Sequence, residues 1–259
     1  MNDFSKLLQP TQSEIELDYR IVIPSKGRSK NMPKCLDMFP TALIYIDIEE
    51  LEDYLEYVPR HKILLHPPTN KLSVLRNYLL DILPNETFFT VDDDINYVIS
   101  LVGRRTRKIT DPKSMIQIIE NAVIMLKDAD LNLFIWASSA NPMTFMAGEH
   151  LKYVGLPSGA YVLRGKDYRY DENLFVRLDL DLVMHQLLEN RIVLSDTRFY
   201  WQDKDGYQGG TGGCQALRSK EMEKFEKEYL YGKWGSHLYL DKEKSNGLLG
   251  VSIKVKRRL

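Results

Sequence analysis

Cysteine is nearly absent. Cys35 and Cys214 are the only two in 259 residues, and they lie far apart in the chain. That excludes a disulfide framework and a cysteine-built zinc site, suits a reducing compartment and leaves both thiols as packing residues. An excess of one charge is also missing. With 35 basic against 36 acidic residues the net charge is -1, which argues against a protein that coats nucleic acid and leaves room only for local patches. No apolar run approaches the length of a membrane span, and Met1 to Leu17 are mixed and charged rather than basic-then-apolar. A soluble, cytoplasmic protein is therefore expected. No repeat, linker or low-complexity tract interrupts the chain. Its 44% hydrophobic content suffices for a substantial core, so residues 1–18 read as an extension and 19–259 as one domain.

Short apolar segments alternate with helical ones through the first half, the pattern of a parallel sheet covered by helices. The strand candidates are Tyr19 to Pro24, Ala42 to Asp47, His61 to His66 and Thr87 to Val91. Between them Asn31 to Met38, Glu49 to Tyr57 and Lys71 to Leu83 read as helices, the last through Leu72, Leu75, Leu79, Leu80 and Leu83. The second half is more mixed. Helices are expected over Met115 to Leu126, Leu180 to Glu189 and Glu221 to Tyr231, and strands over Asn132 to Ser138, Gly159 to Leu163 and Arg191 to Leu194. Gly206 to Gly213 is glycine-dense but has neither the Gly-Lys-Ser/Thr ending of a P-loop nor a strand-turn-helix context. It reads as a mobile lid, an acceptor-binding loop or a plain connection.

Chemistry is concentrated at the strand ends. Asp92, Asp93 and Asp94 follow the apolar run Thr87 to Val91, so a buried strand ends on three carboxylates. Extended geometry points Asp92 and Asp94 one way and Asp93 the other. Like charges held that close raise each other's pKa, whereas a hard divalent cation, Mg or Mn, favours both ionised forms. A solvated turn would use the same residues for capping. In an open parallel sheet, ligands bind beyond the carboxyl ends of the strands, where Pro24, Ser25, Lys26, Gly27 and Arg28 also fall. Farther on, Asp179 and Asp181 stand at the start of a helical pattern, where the dipole and free amides favour negative charge.

The order of these motifs resembles the nucleotide-sugar transferases of the GT-A fold, especially glycosyltransferase family 2, over about Arg20 to Leu194. Ile21-Val22-Ile23-Pro24-Ser25 is similar to the family's first strand and nucleotide loop, within which Arg28 keeps its place. Leu75-Arg76-Asn77 is similar to its Arg-Asn helix start near the diphosphate. Asp92-Asp93-Asp94 stands at its Asp-x-Asp motif, and Tyr170 to Leu182 resembles its acceptor-site block, with Leu178 where the family has glutamate. The resemblance implies an α/β fold of GT-A, Rossmann-like type: a mostly parallel central sheet flanked by helices, with a smaller mixed acceptor-side region. It implies a donor half over residues 19–100 and an acceptor half over 101–259. By the same resemblance Pro24 to Arg28, Arg76, Asn77, Asp92 and Asp93 bind a UDP-sugar, Asp94 with Asp92 and His237 holds the divalent metal, Asp179 is the general base and Asp181 the second acid. His237 reads equally as a packed or surface histidine.

A narrower similarity, through Ile-Pro-Ser-Lys-Gly-Arg, the aspartate tip, the glycine loop and Trp234-Gly235-Ser236-His237, is to glycosyltransferases associated with TET and JBP dioxygenases, many of them phage-encoded. It implies transfer to a hydroxymethylated pyrimidine in DNA, in the host cytoplasm. Arg104, Arg105 and Arg107 would then contact phosphates, as would Lys254 to Arg258, while Phe199-Tyr200-Trp201, which reads otherwise as the core of a strand, would offer a stacking surface through Trp201, and Gly210 and Gly212 would lie on the acceptor loop. The alternatives are a saccharide, lipid-carrier or protein acceptor, a nucleotidyltransferase, and a nucleotide-binding module without turnover.

Overall fold

The computed structural model describes residues 17–102, 105–145, 148–165, 168–203, 219–243 and 249–254. Four strands of the first half, β1 (Arg20–Pro24), β2 (Leu43–Asp47), β3 (Ile63–His66) and β4 (Thr87–Val91), fall where the apolar runs predict them. They pair in parallel in the order β3-β2-β1-β4. The helices α1 (Met32–Met38), α2 (Leu51–Leu55) and α3 (Leu72–Ile82) make the crossovers. The sheet then continues through β9 (Ala160–Arg164), β7 (Leu133–Trp136), β10 (Leu194–Asp196) and the short β8 (Leu151–Lys152). Of these, β9 runs antiparallel to both β4 and β7. The architecture is thus an α/β fold with a mostly parallel central sheet flanked by helices.

The sequence reading differs from the structure in two places here. The strand expected over Arg191 to Leu194 begins only at Leu194, because Arg191 is the left-handed residue, φ +63°, that ends α5 (Leu178–Asn190). A three-stranded antiparallel sheet, β11-β5-β6, was not anticipated. It comprises β5 (Ile95–Ser100), β6 (Arg107–Ile109) and β11 (Phe199–Asp203).

Strand alternation builds two cores. Ile21, Ile23, Phe89, Val91, Phe134 and Trp136 face α1 and α4 (Pro112–Asp128), whose Asp111 cap accepts from the Ser114 amide at 2.8 Å. Val22, Phe88, Leu133, Ile135, Tyr161 and Leu163 face α3, α5 and α6 (Lys220–Trp234). The residues following β4 inherit this alternation, so each face of the sheet delivers its own side chains to the carboxyl edge. Beyond α6 lies a hairpin of β12 (Leu238–Glu243) and β13 (Leu249–Ile253). Among the described residues, no helix is long and apolar enough to cross a membrane.

Candidate active site

At the tip of β4 the strict alternation of extended chain stops, because Asp92 to Ile95 form a tight turn closed by the Ile95 amide on the Asp92 carbonyl at 3.3 Å. Asp93 is buried on the α1 and α2 side. It accepts from Ser25 Oγ at 2.5 Å and from Arg28 Nη1 at 2.5 Å. Asp94, instead of pointing with Asp92, accepts from the same Arg28 Nη1 at 3.0 Å. The loop after β1 is held from behind: the Arg28 amide donates to Tyr54 Oη at 3.2 Å, and that hydroxyl lies 2.7 Å from Ser25 Oγ. Gly27, at φ +66°, directs its amide to Glu50 at 2.8 Å, and Lys26 Nζ reaches the Thr69 carbonyl at 3.2 Å. Pro24 ends β1. Burial raises Asp93, and its bonds from Ser25 and Arg28 oppose the rise.

Asp92 turns to the other face, and no described side chain donates a hydrogen bond to it. Asp92 is solvent-exposed at the carboxyl edge of the sheet, with protein crowding its inner side. That desolvation and the charge of Asp94 push it up to about 7, against the pull of Arg76. Gly159, the residue before β9, packs so close that a Cβ there would lie 2.9 Å from Asp92 Oδ2, and its φ of +71° further favours glycine.

Arg76 and Asp179 complete this side. Arg76, on α3, lies over the rings of Tyr161 at 5.6 Å and Tyr170 at 5.3 Å, and its Nη1 donates to Asp179 Oδ1 at 2.7 Å. The two tyrosines bond each other, oxygen to oxygen, at 3.0 Å. Asn77 brackets the Tyr170 backbone, donating to its carbonyl at 3.0 Å and accepting from its amide at 2.8 Å. Residues far apart in sequence thus meet at the carboxyl edge of the sheet: a cation lying against two aromatic rings, Asp179 bonded to it and Asp92 within the reach of both charges.

Several expectations need correction. Asp181 does not join Asp179: two residues along a helix is about 200° of rotation, and its carboxylate is fully buried under α6. There it accepts from Lys233 Nζ and from Trp234 Nε1 at 2.8 Å. His237 is exposed beyond the end of α6. Among the described residues no group of three or more His, Cys, Asp or Glu side chains could hold a metal, so His237 does not join Asp92 and Asp94. Trp201 is 1% exposed, wedged against Phe89 at 5.0 Å and Trp136 at 5.3 Å, so its ring is core and offers no stacking surface. Nor are the amides preceding α5 free, since Glu226 of α6 accepts from those of Phe175, Val176 and Arg177. Arg105 and Arg107 are exposed on or beside β6, whereas Arg104, Gly210, Gly212 and residues 255–258 lie outside the described residues. Sequence reasoning missed Tyr161, Gly159 and Glu226 as parts of this region. Each acts through a contact that no local pattern encodes, and only Tyr170 stood inside a motif.

No protein-family model matches the chain, and no curated protein matches it in sequence. Among solved structures it is similar to a UDP-glucose pyrophosphorylase complexed with UDP-glucose, at 11% identity and a TM-score of 0.44, covering 83% of this chain and 99% of that one. A protein from Bacillus anthracis described as a glucose-1-phosphate thymidylyltransferase aligns at 9% identity and a TM-score of 0.41, covering 71% and 89%. A CMP-2-keto-3-deoxy-manno-octonic acid synthetase complexed with CTP aligns at 11% and 0.38, covering 82% and 99%.

Proposed function

We propose that the chain is a glycosyltransferase that moves a sugar from a nucleotide diphosphate donor, of the UDP-sugar kind, to a hydroxyl acceptor. The observation that supports this best is the convergence of Asp92, Arg76 and Asp179 beyond the carboxyl end of β4, where open parallel sheets take ligands. Pro24 to Arg28 and Arg76 would face the nucleotide and its phosphates, with Asn77 holding the loop beside them. The donor would rest on the sheet half over residues 19–100 and the acceptor on the half over 101–259.

The residues fit a divalent ion shared with a diphosphate. No described side chain donates a hydrogen bond to Asp92, and Asp94, whose carboxylate rests on Arg28 Nη1, would turn from that guanidinium to supply a second carboxylate, the number Mg commonly keeps when phosphate oxygens supply the rest. Asp92 and Asp94 would hold it, and bound there it would neutralise charge on the departing diphosphate. Asp179 takes the proton from the acceptor hydroxyl while that oxygen bonds the anomeric carbon. The bond from this carbon to the diphosphate breaks, and the diphosphate leaves with the electron pair. Arg76 fixes the orientation of Asp179 through one hydrogen bond and is itself fixed by Tyr161 and Tyr170.

A hydroxymethylated DNA base as acceptor is the narrower form of this proposal. It rests on exposed Arg105, Arg107 and Lys108 without the stacking role expected of Trp201. The test is to incubate the protein with manganese, a panel of UDP-sugars and hydroxymethylcytosine-containing DNA beside simple hydroxyl acceptors, and to weigh the products by mass spectrometry. UDP release with a glycosylated product supports the proposal. Pyrophosphate formed from a nucleoside triphosphate and a sugar phosphate would instead establish nucleotidyl transfer.

A further inference from the structure

We propose that Glu226 is a positioning residue for Asp179, an inference that rests on the glycosyl-transfer reading above. The residue before α5, Arg177, provides no side-chain cap, so the helix bearing Asp179 lacks the usual device for its first amides. A carboxylate 49 residues away supplies one. Glu226 is wholly buried, and its Oε1 accepts from the amides of Phe175 and of Val176 at 2.9 Å, while its Oε2 accepts from Val176 at 3.2 Å and Arg177 at 3.0 Å. Three successive amides aimed at one carboxylate form an anion nest, and a buried charge so satisfied is bound tightly. Glu223 adds an ion pair to Arg177 at 3.6 Å.

The clamp has a second jaw on α3. Ser73 Oγ donates to the Leu174 carbonyl at 3.0 Å, and Lys71 Nζ to that of Glu172 at 3.2 Å. The segment leading into α5 is thus gripped from both sides, and Asp179 stands two residues past the last amide that Glu226 holds. The Arg76 guanidinium lies against the rings of Tyr161 and Tyr170. A fixed α5 terminus holds Asp179 in register with it, at 2.7 Å. Glu226 touches neither donor nor acceptor in this arrangement and acts by holding the backbone.

The isostere Glu226→Gln puts an NH2 group where an oxygen received an amide, so the terminus shifts without a change of volume. Lys233→Met serves as the control, because it removes a different α6 tie, to Asp171 and Asp181, and leaves the amides untouched. The expected result is a fall in kcat of about tenfold to a hundredfold for Glu226→Gln. Donor KM should be unchanged, and exchange of the 175–177 amides faster. Lys233→Met should keep kcat while losing stability. If Glu226→Gln does not fold, Glu226→Asp, which draws the charge back by one methylene, takes its place. Equal kcat losses in the two variants at equal loss of stability would overturn the proposal. A wild-type chain that releases no UDP with any acceptor would instead sink the glycosyl-transfer reading beneath it.

Discussion

The acids beside β4 and the acids beneath α6 make opposite use of the same side chain. Under α6, Asp171 accepts from Lys233 Nζ at 2.8 Å, from Tyr229 Oη at 2.8 Å and from the Asn173 amide at 3.0 Å, and Asp181 is enclosed by Lys233, Trp234 and His185. Against the cost of partial burial, those bonds hold Asp171 down at about 2. At the tip of β4, one guanidinium serves both Asp93 and Asp94, and no described side chain donates to Asp92. A carboxylate whose partners are complete is structural. One left short of partners at the mouth of a cleft marks where a ligand's charge enters.

Substitutions separate the two regions. The largest effect is expected at Asp179→Asn, which should lower transfer by about a hundredfold to ten-thousandfold with the fold intact, read as initial rates beside a circular dichroism spectrum. Lys233→Met should do the reverse, costing about 3 kcal/mol in urea unfolding because it strips a partner from the buried Asp181 while leaving the cleft alone. Arg28→Gln straddles the comparison. It leaves Asp93 with Ser25 alone, costs on the order of 2 kcal/mol of stability and weakens donor binding, both measurable by calorimetry.

The smallest effect is a difference of sign with pH. An acid raised in the folded state binds its proton more tightly there. Ionising Asp92 between about 4 and 7 therefore opposes folding, and Asp92→Asn should raise the melting temperature at pH 8 and leave it unchanged near pH 4. Asp171 has the opposite linkage. The stability it contributes is present above an unfolded value near 4 and lost as pH falls toward 2, so Asp171→Asn should lower the melting temperature at pH 8.

The regions also differ in how far the sequence disclosed them. The four parallel strands and three crossover helices of the first half were legible, because short apolar runs ending in Pro24, Asp47, His66 and Asp92 leave few alternatives in a sheet buried on both faces. The antiparallel β9 was legible as a strand but not in direction, which depends on its neighbours. Phe199-Tyr200-Trp201 offered either a strand core or a stacking platform. The packing of Trp201 among Phe89 and Trp136 selects the first. In the site, the pairing of Arg76 with Asp179 spans 103 residues and was not anticipated, since the resemblance set Arg76 by the diphosphate and Asp179 at the acceptor without joining them. Helical period alone sends Asp181 away from Asp179, a constraint the motif spelling conceals. Glu226 had no signal, since a carboxylate that caps another helix looks like any acid on an exposed helical face.

The most direct test of the account is a crystal structure grown with a UDP-sugar and manganese. The account predicts the diphosphate at the tip of β4, with the cation on Asp92 and Asp94 and the anomeric carbon facing Asp179. Donor density elsewhere on the protein, or an unaltered cleft at saturating donor, would contradict it.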